Sequence, residues 1–351
     1  MMRTLLEKLT SIPGPCGYEQ KVASWIVEQV QDEAVDVKID GIGNVWATLK
    51  GNKDGPKVVV TAHMDEVGFI VKKIEANGLL RFEKLGGHDD RILLAQPVDV
   101  HTKSETLHGV IGTMSAHYVK FDDAKRVRSH RELYIDIGAR SEQEALDMGV
   151  RIGTIVTWHT SLQALGNGTT NRLYGKALDD RAGCAVLLEL FRRLKGQNFH
   201  GEVLFLWTVQ EEVGLRGAHT AARSLQADLA IAIDTTAASD TPETTMDGTL
   251  TLGGGTGIKV LDFSLIANPG VKDRLVDLAE EHHIPYQLEV FPGIGTDGGA
   301  VAFSEHGIPT GVLSIPSRNA HAPVEVIDEG DLEATVNLLE IFVHSSNTMF
   351  K

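Results

Sequence analysis

Four near-continuous apolar runs in this chain stop at residues that bind metals. Lys57-Val58-Val59-Val60-Thr61-Ala62 runs into His63, and Val203-Leu204-Phe205-Leu206-Trp207-Thr208-Val209 leads to Glu211 and Glu212. Leu229-Ala230-Ile231-Ala232-Ile233 ends on Asp234, and Thr310-Gly311-Val312-Leu313-Ser314-Ile315 stops a few residues before His321. Runs of this length without polar alternation are expected of strands covered on both faces, as in a mainly parallel sheet with helices above and below. In such folds the site lies outside the carboxyl ends of the strands, so the polar residues that close these runs are predicted to converge at one sheet edge.

A fifth contribution comes from Asp179-Asp180-Arg181. It precedes Ala185, Val186, Leu187, Leu190, Phe191 and Leu194 at helical spacing. The acidic pair therefore sits at a helix N-terminus, where the dipole and free amides favour negative charge. Plain N-capping accounts for an isolated pair of this kind; four other candidate ligands at strand ends of the same inferred sheet favour the metal reading. His63, one of Asp179 and Asp180, one of Glu211 and Glu212, Asp234 and His321 make five ligands. That number suits two divalent cations roughly 3.5 to 4 Å apart, which need a bridging carboxylate, about two further ligands each and room for a water. One glutamate of the Glu211-Glu212 pair is then left unligated beside a ligand glutamate, free to shuttle a proton.

From about Val67 to His159 the pattern changes to short alternating segments separated by Gly, among them Gly68-Phe69-Ile70-Val71-Lys72-Lys73-Ile74 and Leu107-His108-Gly109-Val110-Ile111-Gly112. Strands at this spacing predict a small antiparallel barrel or sandwich. Ser141-Glu142-Gln143-Glu144 reads as a capping box opening one helix within it. Because candidate ligands fall on both sides of this block, it is expected to be an insertion. The predicted architecture is α/β, with a mixed, mainly parallel sheet flanked by helices and an inserted small β-barrel-like domain. Residues 1–66 and 164–351 would form the catalytic unit and residues 67–163 the insert. A chain of 351 residues also exceeds what a single core usually supports.

The net charge of -15 opposes binding to nucleic acid or to anionic membrane surfaces. No apolar stretch approaches the roughly 18 residues of a membrane span. Two cysteines, Cys16 and Cys184, provide no disulfide framework, and the amphipathic Met1–Ser11 segment does not read as a signal peptide, so a cytoplasmic location is expected. Other features have ordinary readings. His282-His283 falls at the C-terminal end of a helical pattern, where histidine caps helices. His88-Asp89-Asp90-Arg91 belongs to the insert and would reach the active site only across a subunit boundary or through a lid. The run Lys120–Arg131 reads as a solvated loop. Gly253-Gly254-Gly255-Thr256-Gly257 lacks the context of a dinucleotide fingerprint, and no Gly-x-Ser-x-Gly elbow occurs.

His63-Met64-Asp65-Glu66-Val67-Gly68, Lys176-Ala177-Leu178-Asp179-Asp180-Arg181-Ala182-Gly183 and Gln210-Glu211-Glu212-Val213-Gly214-Leu215-Arg216-Gly217-Ala218 resemble the signatures of the tetrahedral aminopeptidases, a family that includes glutamyl aminopeptidases and relatives named as endoglucanases. The resemblance extends to Leu133–Ala139, Gly295-Thr296-Asp297 and Pro13–Glu19, and so covers essentially the whole chain. It implies that Asp179 bridges two metals, one completed by His63 and Asp234 and the other by Glu212 and His321. It further implies that Glu211 is the general base, that Asp65 supports His63, and that a cis peptide joins Asp179 and Asp180. The implied cofactors are two divalent ions per subunit, zinc or cobalt, with manganese also suited to such donors. The implied substrates are short unblocked peptides. The implied assembly is a twelve-subunit tetrahedral homo-oligomer dimerised through the insert. Around the last ligand the chain departs from the family pattern, with Arg318-Asn319-Ala320-His321-Ala322-Pro323 where an aromatic residue and a Ser or Thr are expected. A deacylase acting on N-acyl amino acids, a carbohydrate hydrolase and a non-catalytic scaffold are the competing readings. A glycosidase gives His63 and His321 no purpose, and a scaffold gives no reason for a complete ligand set.

Overall fold

A computed structural model describes residues 2–118, 120, 123, 125–242 and 250–348. The strands are β1 (Asp36–Ile39), β2 (Val45–Lys50), β3 (Lys53–His63), β4 (Gly68–Ile74), β5 (Leu80–Leu85), β6 (Pro97–His101), β7 (Thr106–Ile111), β8 (Ile135–Asp136) and β9 (Ile155–Trp158). They continue with β10 (Gln163–Ala164), β11 (Arg172–Gly175), β12 (His200–Thr208), β13 (Leu229–Ala237), β14 (Thr256–Asp262), β15 (Tyr286–Phe291), β16 (Thr310–Ser317) and β17 (Glu325–Asp328). The helices are α1 (Met2–Ser11), α2 (Gln20–Val30), α3 (Glu142–Asp147), α4 (Leu178–Leu194), α5 (Arg216–Ala222), α6 (Pro269–Glu281), α7 (Asp297–Ala302) and α8 (Glu329–Ser345).

An eight-stranded sheet runs in the order β1-β2-β12-β3-β13-β16-β14-β15. Its centre, β12-β3-β13-β16, is parallel throughout, which brings the four carboxyl ends to one edge. Strand residues alternate between two cores: Val58 and Val60 of β3 face the layer containing α4 and α8, whereas Val59 packs with Leu206, Ala221 and Val301 on the side of α5 and α7. Burial on both faces is why these strands lack polar positions. In α4, Leu187, Leu190, Phe191 and Leu194 are fully buried; at about 1.5–3 kcal/mol for each large apolar side chain, this face holds the helix to the sheet.

Strands β4-β5-β8-β7-β6-β9 close into an antiparallel barrel inserted between β3 and β10, with its own core around Phe69, Phe82, Val100 and Trp158. The mixed α/β sheet and the inserted barrel agree with the architecture expected from sequence. Several local details differ. Strand β13 runs three residues past Asp234, because Thr235 and Thr236 continue its ladder against Ile315 and Pro316. Ile152 and Gly153 form a turn just before β9, and Gly153 takes a positive φ of 90° there. The capping box at α3 is half formed: Ser141 Oγ accepts from Glu144 N at 3.1 Å, but Glu144 reaches back to the amide of Arg140. His282 caps α6 as expected. The Lys120–Arg131 run lies partly outside the described residues. Among the described residues no helix is long and apolar enough to cross a membrane.

Candidate metal centre

His63 is the last residue of β3 and pairs in register with Thr208, the last of β12. Its Nδ1 lies 3.1 Å from the Asp65 carbonyl oxygen. A carbonyl can only accept, so Nδ1 carries a proton and the ring turns its Nε2 into the site, where it offers a lone pair whenever the ring is neutral. That Nε2 is 3.2 Å from Asp179 Oδ1 and 3.7 Å from Asp234 Oδ1. His321 repeats the arrangement from the opposite side. Its Nδ1 donates to the Gly87 carbonyl at 2.8 Å, and its Nε2 faces Glu212 Oε1 at 3.1 Å and Asp179 Oδ2 at 3.4 Å. Asp179 therefore offers one carboxylate oxygen to each histidine. The five residues expected as ligands from the sequence all meet here.

An imidazole lone pair facing an ionised carboxylate is repulsive unless a proton or a cation lies between them. Burial alone would make both rings reluctant to protonate, but the surrounding carboxylates outweigh it. His63 is driven well above its ordinary value by Asp179, Asp234 and Asp65, and His321 is pushed up to about 12 by Glu212 and Asp179. Burial and the neighbouring negative charges push Glu212 and Asp234 up as well, and push Glu211 well above the usual carboxylate range, whereas Asp179, despite its burial, is held low by His321 and His63. Glu212 Oε1 is buried with no hydrogen-bond donor among the described residues. Donor atoms of His63, Asp179 and Glu212 lie within 4.8 Å of one another, as do those of His63, Asp180 and Asp234. Oxygen-rich donors with one imidazole on each side and an excess of buried negative charge fit divalent cations.

The backbone around the site is held by further buried acids. Asp65 accepts from the amides of Glu211 at 2.9 Å and Glu212 at 3.2 Å, and so sets both the His63 ring and the turn after β12. Although fully buried, it is kept below its usual range by His63 and these two amides. The carboxylate of Glu211 accepts no hydrogen bond from the described residues and borders a cavity of about 650 Å³ with Leu215, Phe263, Ile294 and Ala320. Asp179 and Asp180 are joined by a cis peptide, and both depart from helical φ/ψ. Their roles divide: Asp180 Oδ1 accepts from Gly183 N at 2.9 Å and caps the regular part of α4, which leaves Asp179 free for the site.

Glu325, which sequence reasoning missed, accepts from the amides of Asp179 and His321, each at 2.9 Å, and clamps the two segments together. Burial and the Asp179 charge push it up to about 8. Its only sequence signal is an acid four residues after a ligand, at the start of the short strand β17. Asp297, which falls in the Gly295-Thr296-Asp297 segment but was given no role from sequence, is buried and accepts from the Thr208 hydroxyl. Glu66 binds Lys176 Nζ at 2.6 Å and the Gly14 amide at 3.0 Å beside the fully buried Arg181, tying the N-terminal turn to α4. His88 lies outside the ligand cluster. Its ring stacks on Phe69 at 4.5 Å, and burial lowers it to about 3, so it stays neutral. The preceding glycines make the contact instead: a Cβ on Gly86 would lie 3.2 Å from Glu212 Cβ, and one on Gly87 would lie 3.4 Å from His321 Nδ1. The altered segment around the last ligand has a backbone reason for Asn319, whose φ of 59° lies in the left-handed region that Asn tolerates.

Residues 43–338 match the M42 glutamyl aminopeptidase family. An aminopeptidase from the archaeon Desulfurococcus kamchatkensis has a similar structure, with a TM-score of 0.93 and 39% identity over 98% of this chain and 94% of that one. A lysyl aminopeptidase of Pyrococcus furiosus is 33% identical over 98% of this chain and 97% of its own length. The TET1 peptidase of Pyrococcus horikoshii, described as able to assemble into a tetrahedron or a large octahedral shell, superposes with a TM-score of 0.87 and 36% identity, over 98% of this chain and 99% of that one. This chain belongs to the M42 glutamyl aminopeptidase family and is a metal-dependent aminopeptidase.

Proposed function

We propose that this protein removes N-terminal residues from short unblocked peptides at a two-metal centre, with Glu211 as general base. The observation that carries the reading is the Asp179 carboxylate, whose two oxygens address His63 and His321 separately. His63 and Asp234 would complete one ion, and Glu212 and His321 the other. The bound ions would supply Lewis-acid polarisation of the scissile carbonyl and make a water more acidic.

The chain's own residues account for the remaining chemistry. Glu211 has no hydrogen-bond donor to occupy it and faces the cavity, so it can take a proton from the attacking water and return it to the leaving amine nitrogen. Asp65 fixes the direction of Glu211 through the backbone amide rather than through the side chain, which leaves the base free to turn between the two positions. The free α-ammonium of a peptide suits a pocket bordered by Asp179, Glu211, Glu212 and Asp234, and the first side chain would lie against Leu215, Phe263 and Ile294.

Zinc or cobalt fits the mixed imidazole and carboxylate donors best, and manganese remains compatible. A tetrahedral twelve-subunit assembly dimerised through the barrel is proposed on the likeness to the TET1 peptidase. Phe263, Ile266 and Phe303, all more than 70% exposed on the single chain, are apolar surface that association would cover. Assay of paired free and N-acetylated dipeptides with added Zn2+ or Co2+ tests the reading. Release of free amino acids from the unblocked members supports it, and turnover of the blocked members alone would replace it with deacylation.

A further inference from the structure

Three strands of the barrel carry a second group of metal-type donors that the reaction does not use. Asp99 stands in the middle of β6, His108 is its direct cross-strand partner on β7, and His159 follows the end of β9, the strand on the other side of β6. One oxygen, Asp99 Oδ1, lies 2.8 Å from His108 Nδ1 and 2.9 Å from His159 Nδ1. The two rings are 4.9 Å apart and inclined at 73°, so both Nδ1 atoms turn towards the same carboxylate rather than towards each other's faces. All donor atoms of the trio lie within 4.8 Å of one another.

We propose that Asp99, His108 and His159 bind one divalent transition-metal ion, separate from the catalytic pair. Two imidazoles and one carboxylate select Zn2+ or Co2+ over Ca2+ and Mg2+, which require oxygen donors. In a tetrahedral zinc site, with bonds of about 2.0–2.1 Å, neighbouring donors stand roughly 3.3 Å apart, so an ion enters if the two Nδ1 atoms retreat by about half an ångström. The exposed positions of His108 and His159 permit that movement, their side chains being 75% and 51% exposed. With three protein donors the ion keeps at least one position for water. Asp99 and His159 also border a cleft of about 410 Å³ with Thr10, Ser11 and Lys176, between the barrel and the N-terminal helix. The ion would staple β7, β6 and β9 at that junction.

The competing account is a hydrogen-bonded trio in which Asp99 accepts from both rings with no ion. Metal content separates the two. Full-length wild type and the double variant His108→Gln/His159→Gln, dialysed against the same micromolar Zn2+ buffer, are compared by elemental analysis and by titration with Co2+. The expected result is one fewer ion per chain in the double variant, with activity per chain unchanged. Because the readout is a difference, it stands whatever number of ions the catalytic centre holds. If the double variant fails to fold, His108→Gln alone, altering the most exposed of the three side chains, is expected to weaken the same Co2+ site at least tenfold. Equal metal content and superimposable Co2+ isotherms, or binding seen only at millimolar metal, would overturn the proposal.

Discussion

Replacing Glu211 by Gln separates catalysis from metal binding within one residue. The side chains have nearly the same shape, and the amide of residue 211 would still donate to Asp65 at 2.9 Å, so the turn after β12 is retained. The five proposed ligands are untouched. What disappears is a carboxylate that accepts protons, whose contribution is typically 10²–10⁴-fold. At 1.36 kcal/mol per factor of ten, this is about 2.7–5.4 kcal/mol of barrel-independent transition-state stabilisation. A second effect has the opposite sign. Glu211 is held well above the usual carboxylate range by burial and by Asp234, Asp297 and Glu212, so its ionised form disfavours the folded, metal-free chain. Gln imitates the protonated form. The metal-free variant should therefore melt no lower than metal-free wild type while kcat falls by at least a hundredfold. The assay is release of p-nitroaniline from an aminoacyl anilide, with metal content measured on the same sample. A loss of less than tenfold at full metal loading would refute the assignment of Glu211 as base.

Removal of metal by a chelator should lower the melting temperature by about 10 °C, since two ions, each at a thousand times its dissociation constant, together contribute about 8 kcal/mol and unfolding of 351 residues carries an entropy of about 0.7 kcal/mol/K; calorimetry with and without added Zn2+ checks this. Lys176→Met leaves Glu66 buried with one of its two cationic neighbours lost, and should cost about 3 kcal/mol in chemical denaturation with the metal site intact. Among the described residues the cavity beside Glu211 is lined by neither Lys nor Arg, so leucyl substrates should exceed glutamyl substrates in kcat/KM by at least about tenfold, or 1.4 kcal/mol. Comparison of the two anilides decides it.

Much of the site is legible in the sequence because each of its strands is buried on both faces. Val58–Ala62 and Leu229–Ile233 are buried throughout, so His63 at the end of β3 and Asp234 within β13 stand out against their surroundings. Asp179 is legible only in part: an acid before a helix has an ordinary capping use, and in the structure its neighbour Asp180 fulfils that use. Glu325 and the role of Asp297 were invisible for a different reason. Their partners are backbone amides or a hydroxyl far away in sequence, and no local spacing encodes such contacts. Strand β8, only two residues long, carries no periodicity of its own and exists because β5 and β7 offer free edges on either side of it. The contact between Gly87 and His321 likewise depends on how the barrel meets the sheet, and the sequence of neither segment reports it.

The central claim is that Asp179 stands between two cations. Crystals grown with Zn2+ and measured on both sides of the zinc absorption edge test it most directly. Two anomalous peaks about 3.5–4 Å apart, one beside His63 and Asp234 and the other beside Glu212 and His321, with an oxygen of Asp179 on each, are the predicted result. A single fully occupied peak in this pocket under saturating Zn2+, or two peaks with Asp179 bound to only one of them, would contradict it.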